Sequence, residues 1–318
     1  MKIYQVRKYE KESKTLWNEF VKKAKNATFL FDRDFMEYHQ DRFEDYSLLV
    51  FDAKENVKAV FPANKAGDTV FSHQGLTYGG LVVEKKTKSE EIFTIMDSIV
   101  RFLRAQGIIT LQMKSLPIIY NSTMSNELDF YFFKSGANCF RKDLNLAFPL
   151  KDPELWSKSK WKHYKKTKNI EVRFDNKFND FWEEILIPRL LQKYNASPVH
   201  TLQEIESLAS DFPENIKQIN AYIDNQIVAG ITLFQDTFVV KSQYGATSDL
   251  GEKNRALDYL YFTLFEHFRA ENKLYFDMGV VTDTSFKEGF NKGLLQQKEE
   301  LGGVVFCQDY YQLDLQVK

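Results

Sequence analysis

Between Lys88 and Gln106 the run KSEEIFTIMDSIVRFLRAQ sets Ile92, Ile95, Met96, Ile99 and Phe102 three and four residues apart. That spacing is one face of an α-helix. The next segment, Ile108 to Met113 (IITLQM), reads as a buried strand. The same order recurs downstream. KNRALDYLYFTLFEHFRAE (253–271) carries Leu257, Leu260, Leu264 and Phe268 in helical phase, and KLYFDM (273–278) follows as a strand. Upstream, the strands TVFSHQGLTYGG and FVVKSQYGA end on Tyr78-Gly79-Gly80 and Tyr244-Gly245-Ala246. The tyrosines are 166 residues apart, Met113 and Met278 are 165 apart, and the closing strands at Leu144–Leu146 and Leu313–Leu315 are 169 apart. A shift this constant predicts one unit written twice, with a boundary near Pro149 to Trp156 and domains at 1–149 and 150–318.

Each copy is expected to run helix, antiparallel strands, long helix, strand, shorter helix or loop, closing strand. In the second copy the pattern predicts helices over Asp180–Tyr194 and Thr201–Ser210, and strands over Ile216–Ile223, Ile227–Phe234 and Phe238–Tyr244. Asp224-Asn225 is the hairpin turn. Thr201 is the predicted cap of the second helix, with Glu204 at the capping-box position. The fold class is therefore α/β (α+β), with two tandem domains of mixed, mostly antiparallel sheets flanked by helices.

Composition narrows the setting. The 318 residues carry 43 Lys+Arg against 44 Asp+Glu, a formal charge of −1, which argues against a whole-protein basic footprint for nucleic acid. Forty-eight aromatic residues, 28 of them Phe, supply cores and exclude disorder as the main state. Cys139 and Cys307 have no disulfide or metal-ligand pattern and read as buried small apolar residues, and the five histidines are scattered, so no metal is expected. The first 20 residues lack the apolar core of a signal peptide, and no stretch is long and apolar enough to span a membrane. The expectation is a soluble, cytoplasmic protein.

The run YGATSDLGEKNRALDYLYFTLFEHFRAENKLYFDMG, followed by GFNKGLLQQKEELGG and a closing DYYQLDL, resembles the Fem-type (FemAB-like) acyltransferases. In that family two GNAT-like domains lie in one chain. The shared pattern is met by Tyr244 to Thr247, by Phe276-Asp277-Met278-Gly279, and by Gly293-Leu294 through Lys298 to Gly302. The resemblance covers about the last 80 residues, and the duplication extends it to the whole chain. It implies an N-acyltransferase that moves an acyl group from an activated carrier onto a primary amine. The carrier it implies first is acyl-CoA as co-substrate, and the amine belongs to a small molecule, a nucleotide-linked amino sugar or another cell-envelope precursor. Aminoacyl-tRNA-dependent peptidyl transfer and a catalytically silent ligand-binding module are the alternatives. The chain departs from the pattern twice. Thr247 to Asn254 holds only Gly251 where GNAT enzymes place a glycine-rich pyrophosphate loop, and Gln297 replaces the aromatic residue before the family lysine.

Amide formation needs a neutral amine, donors for the tetrahedral oxyanion and a proton acceptor. Lys298 aligns with the family lysine and is the first candidate, as a fixed cation facing the oxyanion or a carrier phosphate. Tyr244 could donate its phenol to the intermediate or the leaving group. Asp277, in an otherwise apolar strand, could accept the ammonium proton, and the corresponding position in the first copy is Gln112, which cannot. His200, at the start of a helix, is a candidate base. Gln243 points to the opposite face from Tyr244 if the strand alternates regularly, and both it and Tyr78, expected to line the cleft between the domains, are candidate substrate contacts. The run Ser157 to Lys168 carries six lysines, and Lys160, Lys162, Lys165 and Lys166 are candidate phosphate ligands. Trp161 and Tyr164, three apart, are expected on its buried side.

Overall fold

The structure, a computed structural model, describes residues 4–316. The first half contains β1 (Gln5–Lys8), α1 (Lys14–Val21), α2 (Arg33–Met36), β2 (Glu44–Asp45), β3 (Leu48–Phe51), β4 (Val57–Phe61), β5 (Asn64–Ala66), β6 (Thr69–Phe71), β7 (Val82–Val83), α3 (Ser89–Ala105), β8 (Thr110–Lys114), α4 (Glu127–Lys134) and β9 (Asn138–Pro149). The second half contains α5 (Lys158–Lys166), β10 (Glu171–Arg173), α6 (Phe178–Phe181), α7 (Ile187–Tyr194), α8 (Leu202–Asp211), β11 (Ile216–Ile223), β12 (Gln226–Gln235) and β13 (Val239–Thr247). It closes with α9 (Asp249–Asn254), α10 (Ala256–Ala270), β14 (Tyr275–Val280), α11 (Lys292–Glu300) and β15 (Val304–Asp314).

The chain forms two compact units, one running to Asp143 and including the chain from Cys307, the other Leu144–Phe306. The division therefore differs from a single cut at 149/150, and strand pairing is the reason. In the first unit the sheet is completed by Tyr310–Asp314 of β15, antiparallel to β8. In the second it is completed by Asn145–Pro149 of β9, antiparallel to β14. Each closing strand thus belongs to the other copy in sequence. Leu313 and Leu315 sit in the first core with Ile95, Ile99 and Leu111. Leu146 and Phe148 sit in the second with Leu264, Phe265 and Phe276.

Within the second unit the sheet order is β10-β11-β12-β13-β14-β9. The β11–β12 hairpin turns on Asp224 and Asn225 at φ of 49° and 63°, the left-handed pair that a two-residue type I′ turn demands. β13 and β14 run parallel because α10 crosses between them. The face of α10 that packs on the sheet carries Leu260, Leu264 and Phe268, all at most 3% exposed. In the first unit one four-stranded sheet has the order β1-β3-β4-β7, and the second sheet runs β15-β8-β6-β5-β2. There β6 and β8 are the parallel pair. The register equates Phe71↔Gln112 with Lys241↔Asp277, which confirms the offset of Gln112 and Asp277.

Two local departures from the expected pattern matter later. The helix expected over Asp180–Tyr194 is interrupted by a π-turn at Trp182–Leu186. Pro188 lacks the N–H that would bond the carbonyl of Glu184, so the regular ladder cannot continue through it. The strand expected to run to Tyr78 stops at Phe71, and His73 takes a left-handed φ of 69° where the chain turns away. The cysteines are also exposed rather than buried, because the first part of β9 and the start of β15 are solvent-facing.

The exchange of closing strands predicts a crossed response to core truncation. Leu313→Ala should cost about 2–5 kcal/mol and raise native-state amide exchange in β8 and α3. Phe148→Ala, about 3–5 kcal/mol, should do the same in β14 and α10. Loosening of α10 by Leu313→Ala, with α3 unchanged, would contradict the pairing.

Candidate active site

The parallel contact of β13 with β14 ends at Lys241↔Asp277, and both strands then break their regular pairing. On β13 the register passes from Leu233↔Ser242 to Thr232↔Tyr244, so Gln243 is an extra residue. On β14 it passes from Asp277↔Ala147 to Gly279↔Leu146, so Met278 is extra. A bulge shifts the alternation of side chains by one. Lys241 and Tyr244, three apart, would face opposite ways on a regular strand. With Gln243 inserted they share a face, opposite the side where Val240, Phe276 and Met278 pack with α10. Asp277, register partner of Lys241, lies on that same face.

Lys241 Nζ donates to Asp277 Oδ2 at 3.2 Å, with both side chains largely buried. Asp277 Oδ1 accepts the N–H of Gly279 at 2.7 Å. Gly279 holds φ at 78°, a left-handed value that glycine adopts without strain. That turn presents the carbonyls of Gly279 and Val280 to α11, where Lys298 Nζ donates to both at 3.0 Å. Lys298 is only 7% exposed. Burial pulls its amine from the ordinary 10.5 down to about 7; the Asp277 carboxylate opposes the fall and the Lys241 ammonium adds to it. The expected permanent cation is therefore a group that titrates near neutrality. The Lys298 amine is enclosed, and its hydrogen bonds go to carbonyls that carry no negative charge, so its charged form is disfavoured.

Tyr244 and His200 form a second couple on the same face. The phenol oxygen lies in hydrogen-bond contact with His200 Nδ1 at 2.7 Å and accepts the backbone N–H of His200 at 3.3 Å. Burial raises the phenol's pKa, so Tyr244 stays protonated. His200 is held by the start of α8, where Thr201 and Glu204 form the reciprocal capping box read from the sequence. Trp182, on the π-turn, meets Tyr244 edge-on at 5.1 Å and donates its indole N–H to Thr232, the register partner of Tyr244. Gln243, expected on the opposite face, instead reaches the Tyr244 phenol because the bulge removes the alternation. Its Oε1 is buried and without a hydrogen-bond partner among the described residues.

The remaining candidates divide. In α5, Trp161 and Tyr164 stack at 5.1 Å and pack on the second core, as their spacing predicts. Lys160 pairs with Asp258 and Glu300, and Lys165 pairs with Glu266 while lying over the Trp161 ring. Their charge is thereby compensated inside the unit. Lys162 and Lys166 are exposed, four residues apart on one helix face. Tyr78 is 2% exposed, packed against Phe31 and Tyr120 with its hydroxyl donating to Thr28 Oγ1, so it lines no cleft. Lys241 was not singled out in the sequence; the available signal was a lone lysine after Val239-Val240, and it shares a face with Tyr244 only through the bulge. Among the described residues no group of three or more His, Cys, Asp or Glu is placed to hold a metal, and no helix is long and apolar enough to cross a membrane.

A sheet whose meander ends in a strand parallel to the one beyond a long helix, built twice in one chain, is the tandem GNAT-like fold of the FemAB-like proteins. Solved structures agree with that assignment along the whole chain. The chain is similar to FemX (TM-score 0.69, 11% identity, covering 98% of this chain and 97% of that one). It is similar also to the C-terminal domain of a putative lysylphosphatidylglycerol synthetase from Agrobacterium fabrum (0.60, 13%, 95% and 92%). A third is a tandem GNAT protein from the clavulanic acid biosynthesis pathway (0.56, 10%, 99% and 100%). No protein-family model and no curated sequence matches the chain.

The Lys298 amine predicts a pH-dependent stability. The unfolded chain holds this proton up to about 10.5 and the folded one only to about 7. Between those values the unfolded state binds the extra proton, so the folded state gains stability as pH rises, by up to about 1.4 kcal/mol per pH unit. Urea unfolding of the parent and Lys298→Met between pH 7 and 9 should show a stability difference that moves in this direction. A difference independent of pH would contradict the assignment.

Proposed function

We propose that the chain is an N-acyltransferase that moves an acyl group from a thioester carrier of the acyl-CoA kind onto a primary amine. The observation that carries this reading is the buried Lys298 amine beside Asp277, with two of its hydrogens directed at the Gly279 and Val280 carbonyls. In the neutral form those two N–H bonds are used and the lone pair is left to accept a proton. A base with a pKa near 7 suits removal of a proton from an ammonium acceptor at neutral pH.

In the transfer, the acceptor ammonium gives one proton to Lys298 and its nitrogen attacks the thioester carbonyl. The C–N bond forms, the C–S bond breaks, and the second nitrogen proton replaces one that Tyr244 delivers to the departing thiolate. The Gly279 and Val280 carbonyls hold the base in place, and the Asp277 carboxylate offsets the charge it acquires against the opposing Lys241 ammonium. The buried, unpartnered Oε1 of Gln243 supplies an acceptor for an N–H of the bound carrier or amine. The exposed pair Lys162 and Lys166 meets phosphate on a nucleotide-linked reactant.

Incubation with acyl-CoA and charged-tRNA panels and with amine acceptors tests the reading. Turnover with a thioester is expected, reduced at least about 100-fold by Lys298→Ala and about 10- to 100-fold by Tyr244→Phe. Alanine at both Lys162 and Lys166 should raise KM for phosphorylated reactants and leave kcat. Dependence on charged tRNA, lost steeply with salt, would move the carrier to aminoacyl-tRNA. Product formation undiminished by Lys298→Ala would remove the role given to that residue, and ligand binding without turnover on any carrier would leave a binding module.

A further inference from the structure

The first unit holds a cleft of about 230 Å³ that none of this chemistry uses. Its apolar lining includes Leu81, Ile92 and Met113. Its polar lining is incomplete in a consistent way. Ser115 Oγ and Asn121 Oδ1 are shut off from solvent and have no hydrogen-bond partner among the described residues. Asp129 makes no hydrogen bond or ion pair among the described residues, although it is only partly exposed.

The charges around the cleft leave the same remainder. Glu127 is neutralised by Lys25 at 2.8 Å, within a pair that is 5% and 16% exposed. Asp309 is neutralised by Lys142 at 2.5 Å. Asp129 has no such cation. Its carboxyl is pushed above the usual range by burial first and by Asp309 next, with Lys142 opposing. A half-buried carboxylate without a paired counter-charge destabilises the empty protein. Two of the three unpartnered groups, the carboxylate and the amide oxygen, can only accept hydrogen bonds, and the serine hydroxyl can accept as well. The complement is a ligand with several N–H donors, a positive charge and a short apolar body.

We infer that this cleft of the first unit is a binding site for a small primary ammonium compound, its head group held by Asp129, Asn121 Oδ1 and Ser115 Oγ and its apolar part on Leu81, Ile92 and Met113. The site does not depend on the transferase reading, since it is read from binding alone. A phosphate or carboxylate ligand is disfavoured by the same balance, because among the described residues the unpaired charge lining the cleft is negative.

The experiment uses the full chain with straight-chain alkylammonium ions of two to six carbons, against alcohols and carboxylates of equal length, followed by calorimetry and ligand-detected NMR. Affinity should rise with chain length for the ammonium series only. Asp129→Asn should weaken it at least about 10-fold and Ser115→Ala about 3-fold, within the range for lost charge-assisted and neutral hydrogen bonds. Asp129→Asn should also raise the melting temperature of the empty protein, since it removes an uncompensated charge, so a variant that merely misfolds is distinguished from one that loses the site. Equal binding of the alcohols or carboxylates, or ammonium binding unchanged in Asp129→Asn, would overturn the inference.

Discussion

Everything proposed for the second unit depends on how three ionisable groups share one buried place. Lys241 pairs directly with Asp277, while the buried Lys298 feels that carboxylate and the Lys241 ammonium with opposite effects on its proton. The backbone decides which lysine gives way. Lys241 lies on the strand in direct ion-pair contact with the carboxylate. Lys298 comes from α11, sees Asp277 only through the intervening turn, and is anchored instead by two carbonyls that offer no negative charge. Those carbonyls are available because Gly279 turns left-handed immediately after Asp277, so the base, its neighbour and its seat arise from one short segment, Asp277 to Val280.

The duplication makes the origin of this site visible. Both units carry the same parallel strand pair ahead of a closing antiparallel strand, and the register puts Phe71 and Gln112 where the second unit has Lys241 and Asp277. A phenyl ring and an amide at those places cannot exchange protons, so the first copy retains the frame without its charges. What the first copy has instead is a cleft whose Asp129 carboxylate has no ion-pair partner among the described residues. One frame therefore supports two different polar environments, set by a handful of side chains.

Much of the frame was legible in the sequence because it rests on periodicity. The helices ending near residues 105 and 270, the strands after them, the hairpin at Asp224-Asn225 and the cap at Thr201 all follow from spacing and turn chemistry, and Asp277 stood out as a charge in an apolar strand. Three features were not legible. The exchange of closing strands leaves no local trace, since β9 and β15 have similar patterns and each fits either sheet. The bulge at Gln243 is a register event between strands, and without it Lys241 and Tyr244 are assigned to opposite faces and Gln243 is turned away from the Tyr244 phenol. The left-handed departure at His73, which ends β6 and buries Tyr78, breaks an analogy between Tyr78 and Tyr244 that the near-constant offset had suggested.

The protonation of Lys298 in the folded protein tests this account most directly. An NMR titration of the Lys298 amine, assigned by its loss in Lys298→Met, should show a midpoint near 7. The midpoint should fall further in Asp277→Asn, where the opposing carboxylate is gone. A midpoint near 10, unchanged by that substitution, would mean the lysine is an ordinary structural cation and would contradict the central claim.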